Sequence, residues 1–163
     1  MAELLVELNR VDKNYHIGRR RISVLKGIDL AVREGDFLSI MGPSGSGKST
    51  LLNIIGTLDR PDSGEYRFRG RPMRYLSDTE LSTFRSRSVG FVFQTFNLIP
   101  VLDIFENVRL PFLYSKVGRE EARARGQRAI EEVGLADRLD HRPAELSGGE
   151  MQRVAIARAI AVG

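Results

Sequence analysis

Gly42-Pro43-Ser44-Gly45-Ser46-Gly47-Lys48-Ser49-Thr50 decides the fold, because it fits G-x-x-x-x-G-K-[ST] at every fixed position. The flanks fit as well. Asp36-Phe37-Leu38-Ser39-Ile40-Met41 reads as a short buried strand, and Ser49 to Thr57 reads as a helix with Leu51, Leu52, Ile54 and Ile55 turned inward. Strand, glycine-rich turn and helix is the order that phosphate binding requires. Glycines let backbone N–H groups curl around an anion with no Cβ in the way, and the helix N-terminus adds a favourable partial charge. In this pattern Lys48 reaches the β- and γ-phosphates of a nucleotide and the Ser49 hydroxyl is a Mg²⁺ ligand.

Outward from the loop, Leu4-Leu5-Val6-Glu7-Leu8 alternates weakly and reads as a strand, and Asn14 to Arg20 as a polar loop. Ile22 to Leu25 and Ile28 to Val32 read as two further strands. Pro61-Asp62-Ser63-Gly64 is a turn signal, followed by a strand through Tyr66 and Phe68 and a second turn at Gly70. Ser77-x-x-Glu80 is a capping box that opens a helix through about Arg87. Val89-Gly90-Phe91-Val92-Phe93 is an apolar run suited to a buried strand. Helices then dominate: Asp103 to Val108, Arg119 to Val133, and one from Gly149 onward with Val154, Ile156, Ala157 and Ile160 on its apolar face. The pattern is α/β: a β-rich lobe around the phosphate loop, then a helical part after Gln94. The expected division is residues 1–94 and residues 95–163.

With 163 residues, 42% of them hydrophobic, the chain is long enough for one globular domain with a real core. No apolar run reaches membrane-spanning length, and Met1-Ala2-Glu3 does not open a signal peptide. The absence of cysteine excludes disulfides and thiolate metal sites, and the expected location is the cytosol. The net charge of +4 and the runs Arg19-Arg20-Arg21 and Arg67, Arg69, Arg71 and Arg74 raise the question of a nucleic-acid surface. Acidic residues are interleaved with them and no aromatic stacking platform accompanies them, so they read as solvated faces and no nucleic-acid partner is expected.

Leu146-Ser147-Gly148-Gly149-Glu150 then narrows the class, with Ser147 standing 99 positions after Lys48. Together these motifs make the chain resemble the nucleotide-binding domain of an ATP-binding-cassette (ABC) transporter, an α/β fold of the P-loop NTPase type. Gly42 to Thr50 matches the family's Walker A motif, Leu146 to Glu150 its signature motif, and Gln94 its glutamine loop. Tyr15 occupies the place of the aromatic residue that stacks on adenine. Gly56-Thr57-Leu58-Asp59-Arg60-Pro61, Gly90 to Pro100 and Phe105-Glu106-Asn107-Val108 are similar to the MacB and LolD group.

The resemblance implies ATP and Mg²⁺ as ligands, with Ser49 and Gln94 on the metal side. A phenol face such as that of Tyr15 stacks on a base for about 1–3 kcal/mol. Ser147 and the Gly148 and Gly149 amides open a long helix, and the family implies that they grip the γ-phosphate held by the Walker A loop of another copy. Two chains then sandwich two nucleotides beneath a MacB- or LolD-type permease, at the cytoplasmic face of the membrane. Substrate choice belongs to that permease.

The sequence departs from the family pattern in two respects. Glu150 stands where many members have Gln. No residue matches the Walker B Asp-Glu pair, of which the Glu polarises water, or the switch histidine, so no catalytic residue is assigned. His16 and His141 have no ligand-like partner, Asp59 and Glu106 read as structural, and Asp140 follows no β-run. The expected fold is therefore incomplete, with C-terminal core strands absent and Asp36–Met41 open on one side. ATP binding without efficient hydrolysis follows from the same gap. A nucleotide-binding or interaction module without ATPase activity is the alternative. Chromosome-organising ABC proteins place hundreds of residues between the two motifs, and a GTPase or small kinase has no use for Leu146–Glu150.

Overall fold

The computed structural model describes residues 3–115 and 117–162. Met1 and Ala2, read above for a signal peptide, and Gly163 lie outside the described residues. The chain forms two compact units, Met1–Ser77 and Asp78–Gly163.

The first unit is built on two long strands, β1 (Leu4–Ile17) and β2 (Arg20–Arg33), with β3 (Ser63–Phe68) and the short β4 (Arg71–Pro72). They form one antiparallel sheet in the order β2-β1-β3-β4. The two-residue period breaks after Leu8 for a specific reason. Val6 and Leu8 are buried at spacing two, but the next buried residue is Val11. Arg10 has a left-handed backbone, φ 45°, and the register slips there against both neighbours. One extra residue in β1 returns its apolar face to the core. Gly64 of β3 lies against this bulge at φ 84°, and a Cβ on it would stand 2.3 Å from the Arg10 carbonyl oxygen. Asp12 ties the two neighbouring strands to β1, accepting from the Gly27 amide at 2.7 Å and from the Ser63 hydroxyl at 2.7 Å.

Two expectations are corrected here. Asn14 to Ile17 belongs to β1 rather than to a polar loop, and the chain reverses at Gly18-Arg19, where Gly18 supplies φ 60°. A two-residue hairpin turn needs such a residue, so the pairing continues to Ile17–Arg20. The two strands expected at Ile22–Leu25 and Ile28–Val32 are one strand, β2, with a register shift around Gly27, φ 59°.

Helix α1 (Lys48–Ile55) follows the phosphate loop. Ile54 is fully buried, and the Tyr66 hydroxyl of β3 donates to the Ile55 carbonyl at 2.6 Å. Leu52, expected inward, is 52% exposed. The segment Asp36–Met41 is not a strand: it has no ladder partner among the described residues, and Phe37 is 98% and Met41 87% exposed. The sequence reading expected a strand open on one side; among the described residues the segment pairs on neither side. A strand of a parallel sheet gets both its hydrogen bonds and its burial from neighbours, so apolar composition alone does not form one. Val89–Phe93 is likewise unpaired, although the Phe91 and Phe93 rings stack at 5.4 Å as residues two apart on an extended chain do.

The second unit contains α2 (Asp78–Ser88), which begins directly after Ser77, α3 (Ile104–Arg109), α4 (Arg119–Glu132) and α5 (Gly148–Ile160). Ile104, Val108, Ile130, Val154 and Ala157 form the centre of its core. On α5 the buried face is Val154, Ala155 and Ala157, while Ile160, expected inward, is 42% exposed at the last turn. Asp103 caps α3 through a closed capping box with Glu106. One turn on, Asn107 is completely buried and fully used. Its Oδ1 accepts from the Ile99 amide at 2.7 Å, and its Nδ2 donates to the carbonyls of Ile99, Leu102 and Asp103 at 3.1, 3.1 and 2.9 Å.

Asn107→Ala therefore removes the side-chain partner of the part-buried Ile99 amide and of the Ile99 and Leu102 carbonyls, while the Asp103 carbonyl keeps the residue 107 amide. We expect a loss of about 1–3 kcal/mol, measured as a lower urea midpoint with an unchanged slope.

Candidate nucleotide-binding site

In the phosphate loop, Gly45 at φ 80° and Gly47 at φ 93° take the left-handed conformation, and Gly47 is the N-cap of α1. A Cβ on Gly47 would meet Val24 and Leu25 of β2 at 3.0–3.1 Å, and one on Gly42 would meet the Ser46 hydroxyl at 2.7 Å. Glycine thus allows both the turn and the close packing of the loop. The first turn of α1 has no side-chain cap and no acidic residue, so its leading amides are free of a competing carboxylate. Lys48 curls back over the loop, donating from Nζ to the carbonyls of Gly42 and Pro43, each at 2.8 Å. An arriving phosphate has a cation already poised above the turn. Pro43, Ser44, Gly45, Ser46 and Ser49 are exposed and Thr50 is half-buried. The exposed Ser49 hydroxyl is a hard oxygen donor of the type Mg²⁺ takes alongside phosphate oxygens, so the donor chemistry suits that ion.

Tyr15 lies near the end of β1 with its ring 38% exposed. Its hydroxyl donates to Asp59 Oδ2 at 2.6 Å. The other oxygen of Asp59 receives Lys13 Nζ at 2.6 Å, and the same ammonium donates to the Arg60 carbonyl at 2.7 Å. Lys13 is only 8% exposed, and its Nζ stands 5.3 Å from the Tyr15 ring centroid. Asp62 accepts from both the amide and the side chain of Asn14, at 2.7 and 2.9 Å. Burial works against ionisation of Asp59, but hydrogen bonds from Lys13, Tyr15 and the Arg60 amide outweigh it and hold the carboxyl below its usual range. Asp59 raises the Tyr15 phenol in turn, so the ring keeps its proton.

In the second unit, Ser147 is the N-cap of α5 and forms a closed capping box with Glu150. Glu150 Oε2 accepts from the Ser147 amide at 2.8 Å and from its hydroxyl at 2.7 Å, while Arg138 NH1 lies 2.9 Å from Oε1. The Ser147 hydroxyl, then its amide, and then the charges of Arg138 and Arg153 hold the Glu150 carboxyl below its ordinary value. Leu146 is buried, whereas Ser147, Gly148 and Gly149 are exposed. Gln94 is exposed in a turn. The two residues after Thr95 have left-handed backbones, Phe96 at φ 61° and Asn97 at φ 49°. Their carbonyls converge on Arg158 of α5, at 2.6 Å from NH2 and 2.7 Å from NH1. Gly90 lies directly on α5, where a Cβ would stand 2.4 Å from the Ala159 carbonyl oxygen.

The structure thus gathers Gly42–Thr50 and Tyr15 in the first unit and holds Gln94 and Leu146–Glu150 in the second. The supports Lys13, Arg138 and Arg158 were not read from the sequence, and Asp59 was read as structural without its partners. Lys13 carried a signal, since residues two apart on a strand share a face with Tyr15. Asp59, 44 positions from Tyr15, carried none. His16 and Asp140 are exposed.

A glycine-built loop opening an uncapped helix beneath a folded-back lysine defines the class, a phosphate-loop nucleotide-binding protein. The family model described as "ABC transporter" matches residues 25–163, and the chain belongs to that family. It is 52% identical to the lipoprotein-releasing system ATP-binding protein LolD of Geobacter metallireducens over 96% of this chain and 69% of that protein. With the macrolide export ATP-binding/permease protein MacB of Marinobacter nauticus it shares 49% identity over 98% of this chain and 25% of the relative. The dimeric post-hydrolysis structure of the cassette MJ0796, bound to ADP and Pi, superposes with a TM-score of 0.88 at 47% identity, over 97% of this chain and 70% of that one. The fold is that of an ABC ATPase cassette, of which these residues make up a part.

The depressed Glu150 carboxyl fixes the sign of a pH effect. Its stabilisation is complete above the unfolded value near 4.5 and is lost as pH falls through the lower folded value. Amide-exchange protection in the first turn of α5 should fall on acidification below that range, while Glu150→Gln, which can still close the box, should show a flat profile.

Proposed function

We propose that this chain is the ATP-binding part of an ABC transporter whose partner is a MacB- or LolD-type permease. The observation that carries the reading is the uncapped start of α1 beneath Lys48, whose ammonium is held by two loop carbonyls at 2.8 Å. A triphosphate entering the loop exchanges those carbonyls for charged phosphate oxygens, a stronger set of partners. Gly42, Gly45 and Gly47 give the backbone its approach, Ser46 to Ser49 present amides, Ser49 offers its hydroxyl to Mg²⁺, and Tyr15 carries the base. Mg²⁺, when bound, bridges phosphate oxygens and neutralises charge developing on them.

The motif at Leu146–Glu150 supports pairing of two copies, the exposed Ser147, Gly148 and Gly149 of one facing the nucleotide held by the other. The solved relative is itself dimeric. Gln94 is assigned to the metal side and to the loop that follows permease movement. In this reading residues 1–94 carry the ATP-binding core with its β lobe and residues 95–163 the helical subdomain. The location is the cytoplasmic face of the membrane, through the permease. No helix among the described residues is long and apolar enough to cross a membrane. The names of the relatives point to macrolide export and lipoprotein release as the kinds of work the assembly performs.

The 163 residues hold no match to the water-polarising glutamate or the switch histidine of the family. Because phosphoryl transfer depends on positioning and electrostatics, these residues alone bind ATP without turning it over efficiently. Titration calorimetry of the chain with Mg-ATP should show binding that Lys48→Ala weakens at least tenfold. Phosphate release by the chain should not exceed that of Lys48→Ala. Equal ATP affinity of the two proteins, or turnover that Lys48→Ala abolishes, contradicts the respective part of the proposal.

A further inference from the structure

We propose that Asp59 is a positioning residue for nucleotide binding, fixing the Tyr15 ring as a preset platform for the base. The inference rests on the assignment of Tyr15 as that platform and adds what orients it. A strand-borne tyrosine with a partly exposed ring is ordinarily free to swing about its side-chain torsions, and holding it still on binding costs about 0.5–1.5 kcal/mol. Here the swing is already stopped. The phenol has a single proton, and it is donated to Asp59 Oδ2 at 2.6 Å.

Asp59 is itself immobilised. Its other oxygen accepts from Lys13 Nζ at 2.6 Å and from the Arg60 amide at 2.7 Å. The Asp59 amide donates to the Asn53 carbonyl of α1 at 3.2 Å, so the carboxylate is registered to the helix that begins at the phosphate loop. Tyr15 is thereby tied, through Asp59, to α1. The distance and angle between base platform and phosphate loop are set before any nucleotide arrives. Lys13, buried beside the ring, presents its charge at 5.3 Å from the centroid. It holds Asp59 ionised and leaves the ring's exposed surface for the base.

The test compares two ligands on the full chain by titration calorimetry: Mg-ATP, which uses platform and loop, and Mg-tripolyphosphate, which uses only the loop. Tyr15→Phe keeps the ring and deletes the anchoring oxygen. Asp59→Ala deletes the anchor's acceptor. Tyr15→Ala deletes the platform. We expect Tyr15→Phe and Asp59→Ala each to weaken ATP three- to tenfold, and Tyr15→Ala to weaken it about five- to 100-fold. Tripolyphosphate affinity should stay unchanged in all three. In the double variant Tyr15→Ala/Asp59→Ala, ATP affinity should match Tyr15→Ala alone, because the anchor has nothing left to hold.

If Tyr15→Ala weakens ATP but Tyr15→Phe and Asp59→Ala do not, the platform assignment stands and the positioning role is overturned. If Tyr15→Ala leaves ATP affinity unchanged, the platform assignment itself fails and the inference fails with it. A parallel loss of tripolyphosphate binding in Asp59→Ala makes Asp59 a determinant of the loop's folding, which also overturns the proposal. Should Asp59→Ala not fold, Tyr15→Phe carries the same decision with the loss of one oxygen atom.

Discussion

Everything at the phosphate loop depends on an unpaid hydrogen-bonding demand: the first amides of α1 have no carbonyl a turn behind them and no side chain to cap them. In most helices a serine or aspartate removes that demand. Here Gly47 occupies the N-cap in a left-handed conformation, and Lys48 is occupied by carbonyls of the same loop. The result is a cluster of donors facing outward and a cation lightly held above them. Such an arrangement is stable without ligand yet more favourable with an anion. Placing Asp or Glu in the first turn would satisfy the amides and destroy the site.

The signature turn of the second unit treats the same demand in the opposite way. Ser147 and Glu150 close a capping box at the start of α5, and Arg138 neutralises the carboxylate. The cap gives Glu150 a local role, since its carboxylate reaches back to the N-cap amide as a glutamine side chain also can. It also leaves the Ser147 hydroxyl engaged with Glu150, so a phosphate approaching this turn competes with an internal acceptor. Farther along the same helix, Arg158 holds the carbonyls of Phe96 and Asn97, whose left-handed backbones cost about a kcal/mol or more each. The strain after Gln94 is offset by the half-buried Arg158 guanidinium, which takes those two acceptors.

Much of the site was legible because local chemistry demands particular residues. Glycine at 45 and 47 and lysine at 48 follow from backbone conformation and hydrogen bonding within a few positions, whereas the closed box between Ser147 and Glu150 was not read from the sequence. The strands were less legible. The bulge at Arg10 breaks the two-residue period in the middle of β1, which makes one strand of 14 residues read as a strand and a loop. Conversely, Asp36–Met41 and Val89–Phe93 have strand composition but no ladder, since pairing depends on neighbours rather than on the segment.

The sequence by itself determined the family, the phosphate loop, the signature turn and the α/β character, because each is written in short-range patterns that only one backbone conformation satisfies. The tertiary structure alone decided which side chains hold those patterns in place. Asp59 meets Tyr15, and Arg158 meets Phe96 and Asn97, across chain separations at which no periodicity operates. A buried charge or amide takes whatever partner folding brings within hydrogen-bonding reach, and that meeting is fixed by packing, not by spacing.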